Sequence, residues 1–142
     1  MKIKTFTSGN NRLRVYLFSS GNLVFSGRAI NINPDEIYND LYETLKEKVF
    51  TTLNITFNFD CINGNNERIL LVFLNSLSRL NNILFVKIIW FIDEEDSHMI
   101  ELANTFKQYI PGIQFSFFFS KLPFLKNKRD GFWDKKFLDF NS

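Results

Sequence analysis

Ile83-Leu84-Phe85-Val86-Lys87-Ile88-Ile89-Trp90-Phe91-Ile92 is the stretch that decides how this chain is organised. Lys87 is its one polar residue, and the rest are aliphatic or aromatic with several β-branched side chains, a composition that favours strand. The run is too short for the ~20 residues needed to span a bilayer. A near-continuous apolar run of this length is what a strand covered on both faces looks like, so the reading is a central strand.

Working outward, each neighbour of this strand carries helix signals. Asp93 follows with Asp96 three residues on, which predicts a capped helix. Met99, Leu102, Ala103, Phe106 and Ile110 form its stripe, Pro111-Gly112 stops it, and Ile113–Phe119 reads as the last strand. On the other side, a helix is predicted from about Glu67 to Leu80, ended by Asn81-Asn82. It is apolar almost all round, which implies burial on more than one side. Before it stand a strand from Thr51 to Phe59 and the polar junction Asp60–Asn66. Earlier still, Asn33-Pro34-Asp35-Glu36 has a cap residue, a proline at the first helical position and a glutamate three after the cap. Its helix carries Ile37, Leu41 and Leu45, with Tyr38, Tyr42 and Val49 beside them. Leu13–Phe18, the turn signal Ser20-Gly21-Asn22 and Leu23–Ser26 make a hairpin.

The predicted order is ββ-α-β-α-β-α-β: a single α/β domain over residues 1–120, with a parallel β-α-β core, an antiparallel N-terminal hairpin and a tail over 121–142. Strands alternating with helices imply parallel pairing and right-handed crossovers.

Composition bounds the function. The chain has 142 residues, 45% hydrophobic content and 18 Phe, which suits one globular core. A net charge of +2 gives no case for nucleic acid, which calls for a strong basic excess. No signal peptide or transmembrane segment is read, and one Cys with one His leaves neither a disulfide nor a soft-ligand zinc site. A reducing cytoplasm is the expected setting, with no cofactor. Asp93, Glu94, Glu95 and Asp96 cluster as Mg²⁺ ligands do, but acids in a first helical turn are also what the dipole favours. Cys61 and His98 fall near strand ends, yet nothing orients them as a nucleophile pair. Cys61 reads as a small buried hydrophobe and His98 as a solvated helix residue, and no catalytic residue is assigned.

Three stretches resemble, in order, the SiaC family of bacterial regulatory phosphoproteins: Gly21-Asn-Leu-Val-Phe-Ser-Gly-Arg-Ala-Ile-Asn-Ile-Asn-Pro34, Cys61-Ile-Asn-Gly-Asn-Asn-Glu-Arg-Ile-Leu-Leu71 and Trp90-Phe-Ile-Asp-Glu-Glu-Asp-Ser-His-Met-Ile-Glu101. The third is the most specific, because Trp, the acidic run, Met and Glu all fall at the family spacing. The resemblance implies a fold similar to the STAS domains of anti-sigma-factor antagonists, with a phosphorylatable hydroxyl where a strand feeds a helix. It also implies a kinase and a phosphatase that set the state, and an unmodified form that binds and stimulates a diguanylate cyclase.

This sequence departs from the family at the switch. The acceptor position falls on Gly64 and the serines after it on Asn65 and Asn66, while Arg68 takes the lysine position. From Asp60 through Asn75 there is no Ser, Thr or Tyr, and Ser76 lies well inside the helix. Two readings follow: a family member held in one binding state, or drift in a protein with a new job. In either, kinase and phosphatase partners lose their target. The partner-binding candidates are Asn63, Asn65, Asn66, Glu67 and Arg68.

The tail interleaves bases with aromatics, and Trp133, Phe137 and Phe140 would share a face if helical. It reads as folding back on the domain, docking a partner groove or touching an anionic membrane. Two function classes result. One is a non-enzymatic regulator that binds a signalling enzyme such as a diguanylate cyclase. The other is an assembly component, possible as a homo-oligomer, that docks through the apolar second helix or the tail.

Overall fold

The computed structural model describes residues 1–8, 12–30, 32–33 and 35–121. Their order is β1 (Lys2–Ser8), β2 (Leu13–Phe18), β3 (Asn22–Ala29), α1 (Asp35–Lys46), β4 (Phe50–Ile62), α2 (Gly64–Leu77), β5 (Ile83–Asp93), α3 (Ser97–Tyr109) and β6 (Gln114–Ser120). The α/β class, the N-terminal antiparallel strands and the three β-α-β units are as read from the sequence. One strand is added: β1, too polar along most of its length to announce itself, pairs antiparallel with β2, as β2 does with β3.

All six strands form one sheet in sequence order, and β3 through β6 are parallel. Each crossover therefore steps to the next strand in the same direction. With right-handed connections, three such steps put all three helices on one face. The core agrees: Ile37 and Leu41 of α1, Leu70 and Phe73 of α2, and Met99 and Phe106 of α3 share one cluster with Val15, Phe25, Phe57 and Trp90 of the sheet. Aromatic rings pack edge to face along the sheet and from it onto α3. Phe25 meets Phe57 at 5.1 Å, Phe57 meets Trp90 at 4.9 Å, and Trp90 meets Phe106 of α3 at 5.5 Å. Such pairs add about 0.5–1.5 kcal/mol each beyond their buried area.

The one-sided arrangement corrects two expectations. β5 is not covered equally on both faces: Val86, Ile88, Trp90 and Ile92 are buried, whereas Phe85 and Lys87 are exposed and Ile89 and Phe91 half-buried. Nor is α2 buried all round, because Leu70, Phe73, Leu74 and Leu77 face the sheet while Val72 is exposed.

The helix ends also differ from the sequence reading. Asp96, not Asp93, caps α3 and accepts from Met99 N at 3.0 Å. Asp93 ends β5 and accepts from Glu95 N in the turn between. At α1, Asn33 Oδ1 does accept from Asp35 N at 3.1 Å. Glu36, however, does not reach back to it, and instead accepts from Ser8 Oγ at 3.0 Å, tying the helix to β1. Asn82 acts on a different helix from the one it was expected to end, since its side chain donates to the carbonyls of Leu45 and Lys48 at the end of α1. α2 begins at Gly64, three residues before the expected start, because the Asn-rich turn read as loop is its first turn.

Gly27 has φ +114, and a Cβ there would lie 2.1 Å from Arg12 O. The strand shifts register against β4 at this point, so only glycine serves. The tail candidates Trp133, Phe137 and Phe140 lie outside the described residues.

Candidate functional site

The C-terminal ends of the parallel strands deliver the starts of α2 and α3 to one edge of the molecule, where α/β proteins gather their sites. Asn63, directly after β4, is the cap residue of α2 with extended φ −109 and ψ 172. Its N–H donates to Ala29 O of β3 at 3.3 Å, and its carbonyl accepts from Glu67 N at 2.8 Å. Its side chain caps no backbone group. It accepts instead from Asn66 Nδ2 at 2.8 Å, so the first turn of α2 keeps backbone N–H groups that the cap does not satisfy. Asn66 is buried, and its Oδ1 has no hydrogen-bond partner.

The remaining candidates divide between surface and scaffold. Gly64, Asn65 and Arg68 are exposed. Arg68 Nη2 donates to Asn65 Oδ1 at 2.7 Å, holding the cation against the first turn. A Cβ built on Gly64 meets nothing within 4 Å, so the missing hydroxyl is not a matter of space. Glu67 is half-buried, and its Oε2 lies 2.9 Å from Nε2 of His98 in the first turn of α3. The structure thus brings Asn63 through Arg68 together as one turn, with Asn66 turned inward.

Arg68 also opens onto something sequence reasoning missed: a groove of about 370 Å³ between α1 and α2. Asp35, Tyr38, Tyr42, Val72 and Ser76 line it with Arg68. Tyr38 is buried, its hydroxyl has no hydrogen-bond partner, and burial pushes its phenol well above the ordinary value. It therefore stays a neutral O–H donor at physiological pH. The available signal was the Tyr38–Tyr42 pair, which an i,i+4 spacing places on one helix face.

Other candidates stay apart. His98 pairs with Glu67 rather than with Cys61, which is a half-buried residue inside β4 and not beyond its end. Asp93 and Asp96 each serve the local backbone. No three His, Cys, Asp or Glu side chains converge as a metal site among the described residues.

The family model described as SiaC family regulatory phosphoprotein matches residues 14–119, from β2 through β6. This chain belongs to the SiaC family. A chain in the crystal structure of the diguanylate cyclase SiaD in complex with its activator SiaC from Pseudomonas aeruginosa superposes with TM-score 0.65 at 16% identity. The match covers 84% of this chain and 99% of that one. At that identity the likeness is one of fold. A comparison with curated proteins found no match. The match spans all three stretches that carried the resemblance in the sequence. It is thus a regulatory family's fold whose strand-to-helix junction here carries Gly64, Asn65 and Asn66. No helix among the described residues is long and apolar enough to cross a membrane.

Proposed function

We propose that this SiaC-family protein is a non-enzymatic cytoplasmic regulator that binds and controls a signalling enzyme, a diguanylate cyclase, through the Asn63–Arg68 turn. The groove beside Arg68 extends that contact surface. The observation that carries the reading is the first turn of α2. It exposes Gly64, Asn65 and Arg68 at the positive end of a helix dipole, yet it has no hydroxyl to modify. Phosphate at such a position would add about −1.5 to −2 charges and change what docks. Without an acceptor the surface holds one state, and the bound enzyme is governed by the amount of this protein rather than by its modification. The lone Cys61 suits a reducing compartment.

The test is a diguanylate cyclase assay with the candidate enzyme from the native host, with and without this protein. The expected result is a change in cyclase rate that Arg68→Glu abolishes while the fold is retained. A cyclase rate indifferent to the protein, together with no measurable binding, would overturn the reading. Mass spectrometry of the native protein should find no phosphopeptide over residues 60–70.

The assembly reading has its own observation. Phe85 and Phe118 are 55% and 52% exposed on β5 and the edge strand β6. If it holds, the protein self-associates as concentration rises and Arg68→Glu leaves that association unchanged.

A further inference from the structure

Asn63-Gly64 is the one Asn-Gly pair in the chain, and it is the step by which β4 enters α2. In such a pair the glycine nitrogen can attack the asparagine side-chain carbonyl, because no side chain shields it. Both residues are exposed. Gly64 is the first residue of α2, so its N–H has no partner inside the helix. The Asn63 side chain, which caps no backbone group, does not take it up either. Asn63 Oδ1 accepts instead from Nδ2 of Asn66 at 2.8 Å. Asn66 is buried and so a fixed donor, which polarises the carbonyl and supports the charge its oxygen gains on attack.

The folded backbone sets the barrier. With ψ of Asn63 at 172, the Gly64 nitrogen is out of line with Cγ, and it reaches Cγ only if the peptide plane between the two residues turns. Turning that plane changes ψ of Asn63 against φ of Gly64, a freedom that glycine has and other residues lack. It gives up a single backbone bond, from Glu67 N to Asn63 O, at a helix end, where opening takes little energy. Nothing packs on Gly64 to resist it, since a Cβ there would meet no atom within 4 Å. Asn63 meanwhile stays anchored through its own N–H to Ala29 O.

We infer that Asn63 is a self-modification site, converted through a succinimide with Gly64 into aspartate and isoaspartate. Gly64 N loses its proton to solvent hydroxide and bonds to Cγ of Asn63. The Cγ–Nδ2 bond breaks, and Nδ2 takes a proton from water and leaves as ammonia. The five-membered ring then adds one water at either carbonyl and opens to aspartate or to isoaspartate. In sum, one side-chain amide and one water give one carboxylate and one ammonium ion, and no oxidant or second enzyme is required. The fold favours the aspartate, because a carboxylate at the cap of α2 meets the positive end of the helix dipole and its free N–H groups. The change also sets a negative charge in the turn that holds Arg68. Its effect on docking rests on the partner reading above, whereas the chemistry does not. A turn with no hydroxyl to phosphorylate thus keeps one slow, irreversible route to a negative charge.

Ageing the purified full-length protein at mildly alkaline pH, with no cyclase present, tests this directly. Trypsin cuts after Lys48 and Arg68, so Val49–Arg68 is one peptide, and its fragmentation in the mass spectrometer separates Asn63 from Asn65 and Asn66. The expected result is a gain of one mass unit at Asn63 several-fold faster than at Asn65, with part of the product as isoaspartate. Gly64→Ala should slow the conversion several-fold while the urea unfolding curve shows a folded protein. The wild-type comparison of Asn63 with Asn65 decides the matter should Gly64→Ala fail to fold. The inference is overturned if Asn63 converts no faster than Asn65, if no isoaspartate forms, or if folded Gly64→Ala ages at the wild-type rate. Any of these leaves the cyclase reading standing, and a cyclase indifferent to the unaged protein overturns that reading and leaves this one.

Discussion

His98 Nε2 stands 2.9 Å from Glu67 Oε2, a contact that joins the first turns of α2 and α3 across 31 residues of sequence. The two turns are the structural pieces of the candidate site, and this pair sets their spacing at the surface. The His98 side chain is 65% exposed, and exposed ion pairs contribute about 0–1 kcal/mol. His98→Ala should therefore lower stability by no more than about 1 kcal/mol in urea unfolding. Its larger effect should appear in partner affinity, measured by calorimetry against the wild type.

Gly64→Ser tests whether the vacant acceptor position is structural. A Cβ there has open space, and the position lies in the first turn of a helix, where serine is tolerated. Replacing glycine removes freedom from the unfolded chain, so stability should hold or rise by about 0.4–1 kcal/mol. Thermal unfolding checks this, and a substantial loss of stability would mean that Gly64 is required by the fold.

Gly27→Ala should behave in the opposite way. The added Cβ would meet Arg12 O at 2.1 Å with φ at +114, and the carbonyl it strikes already accepts from Arg28 N at 2.7 Å. A clash with backbone leaves no flexible side chain to yield. The expected cost is about 3 kcal/mol or more, read as loss of soluble protein or a collapsed unfolding midpoint.

Tyr38 should make the fold sensitive to alkali. Burial raises its phenol above the ordinary 10.0. Below pH 10.0 the folded and unfolded chains both hold the proton, and the group adds no pH dependence. Above it only the unfolded chain ionises, so stability falls by up to about 1.4 kcal/mol per pH unit from this group. Tyr38→Phe should remove that part of the slope in urea titrations at pH 9–11. Because the hydroxyl has no partner, the same substitution should be near neutral or stabilising at pH 7.

Phe57→Ala should cost about 3–5 kcal/mol, because its ring sits between Phe25 and Trp90 at the centre of the layer contact. Chemical denaturation with an unchanged m-value would confirm a loss of stability rather than a change of compactness.

Much of this architecture was legible from residue patterns. The stripes of α1 and α3 and the apolar runs of β4 and β5 rest on local periodicity, which a sequence displays directly. Misreadings came where a side chain's partner lies far along the chain. Glu36 had the right spacing for a capping box, but Ser8 of β1 competes for it. Asp93 had the right spacing for a cap, but the strand continues through it and Asp96 takes the role. β1 was invisible because its polar residues give no alternation, and it forms only through pairing with β2. The groove beside Arg68 was missed because it belongs to neither helix alone and exists only where α1 packs against α2.

By itself, then, the sequence determined the α/β class, the order of the parallel units, the family resemblance and the absence of any hydroxyl between Asp60 and Asn75. These are properties of composition, spacing and identity, and no contact is needed to state them. Tertiary structure alone decided that all three helices share one face, that Asn66 turns inward while Gly64, Asn65 and Arg68 face solvent, and that Glu67 meets His98. The physical reason is the same in each case. Which side of the sheet a crossover takes, and which group satisfies a buried or charged side chain, depend on neighbours brought close only by folding.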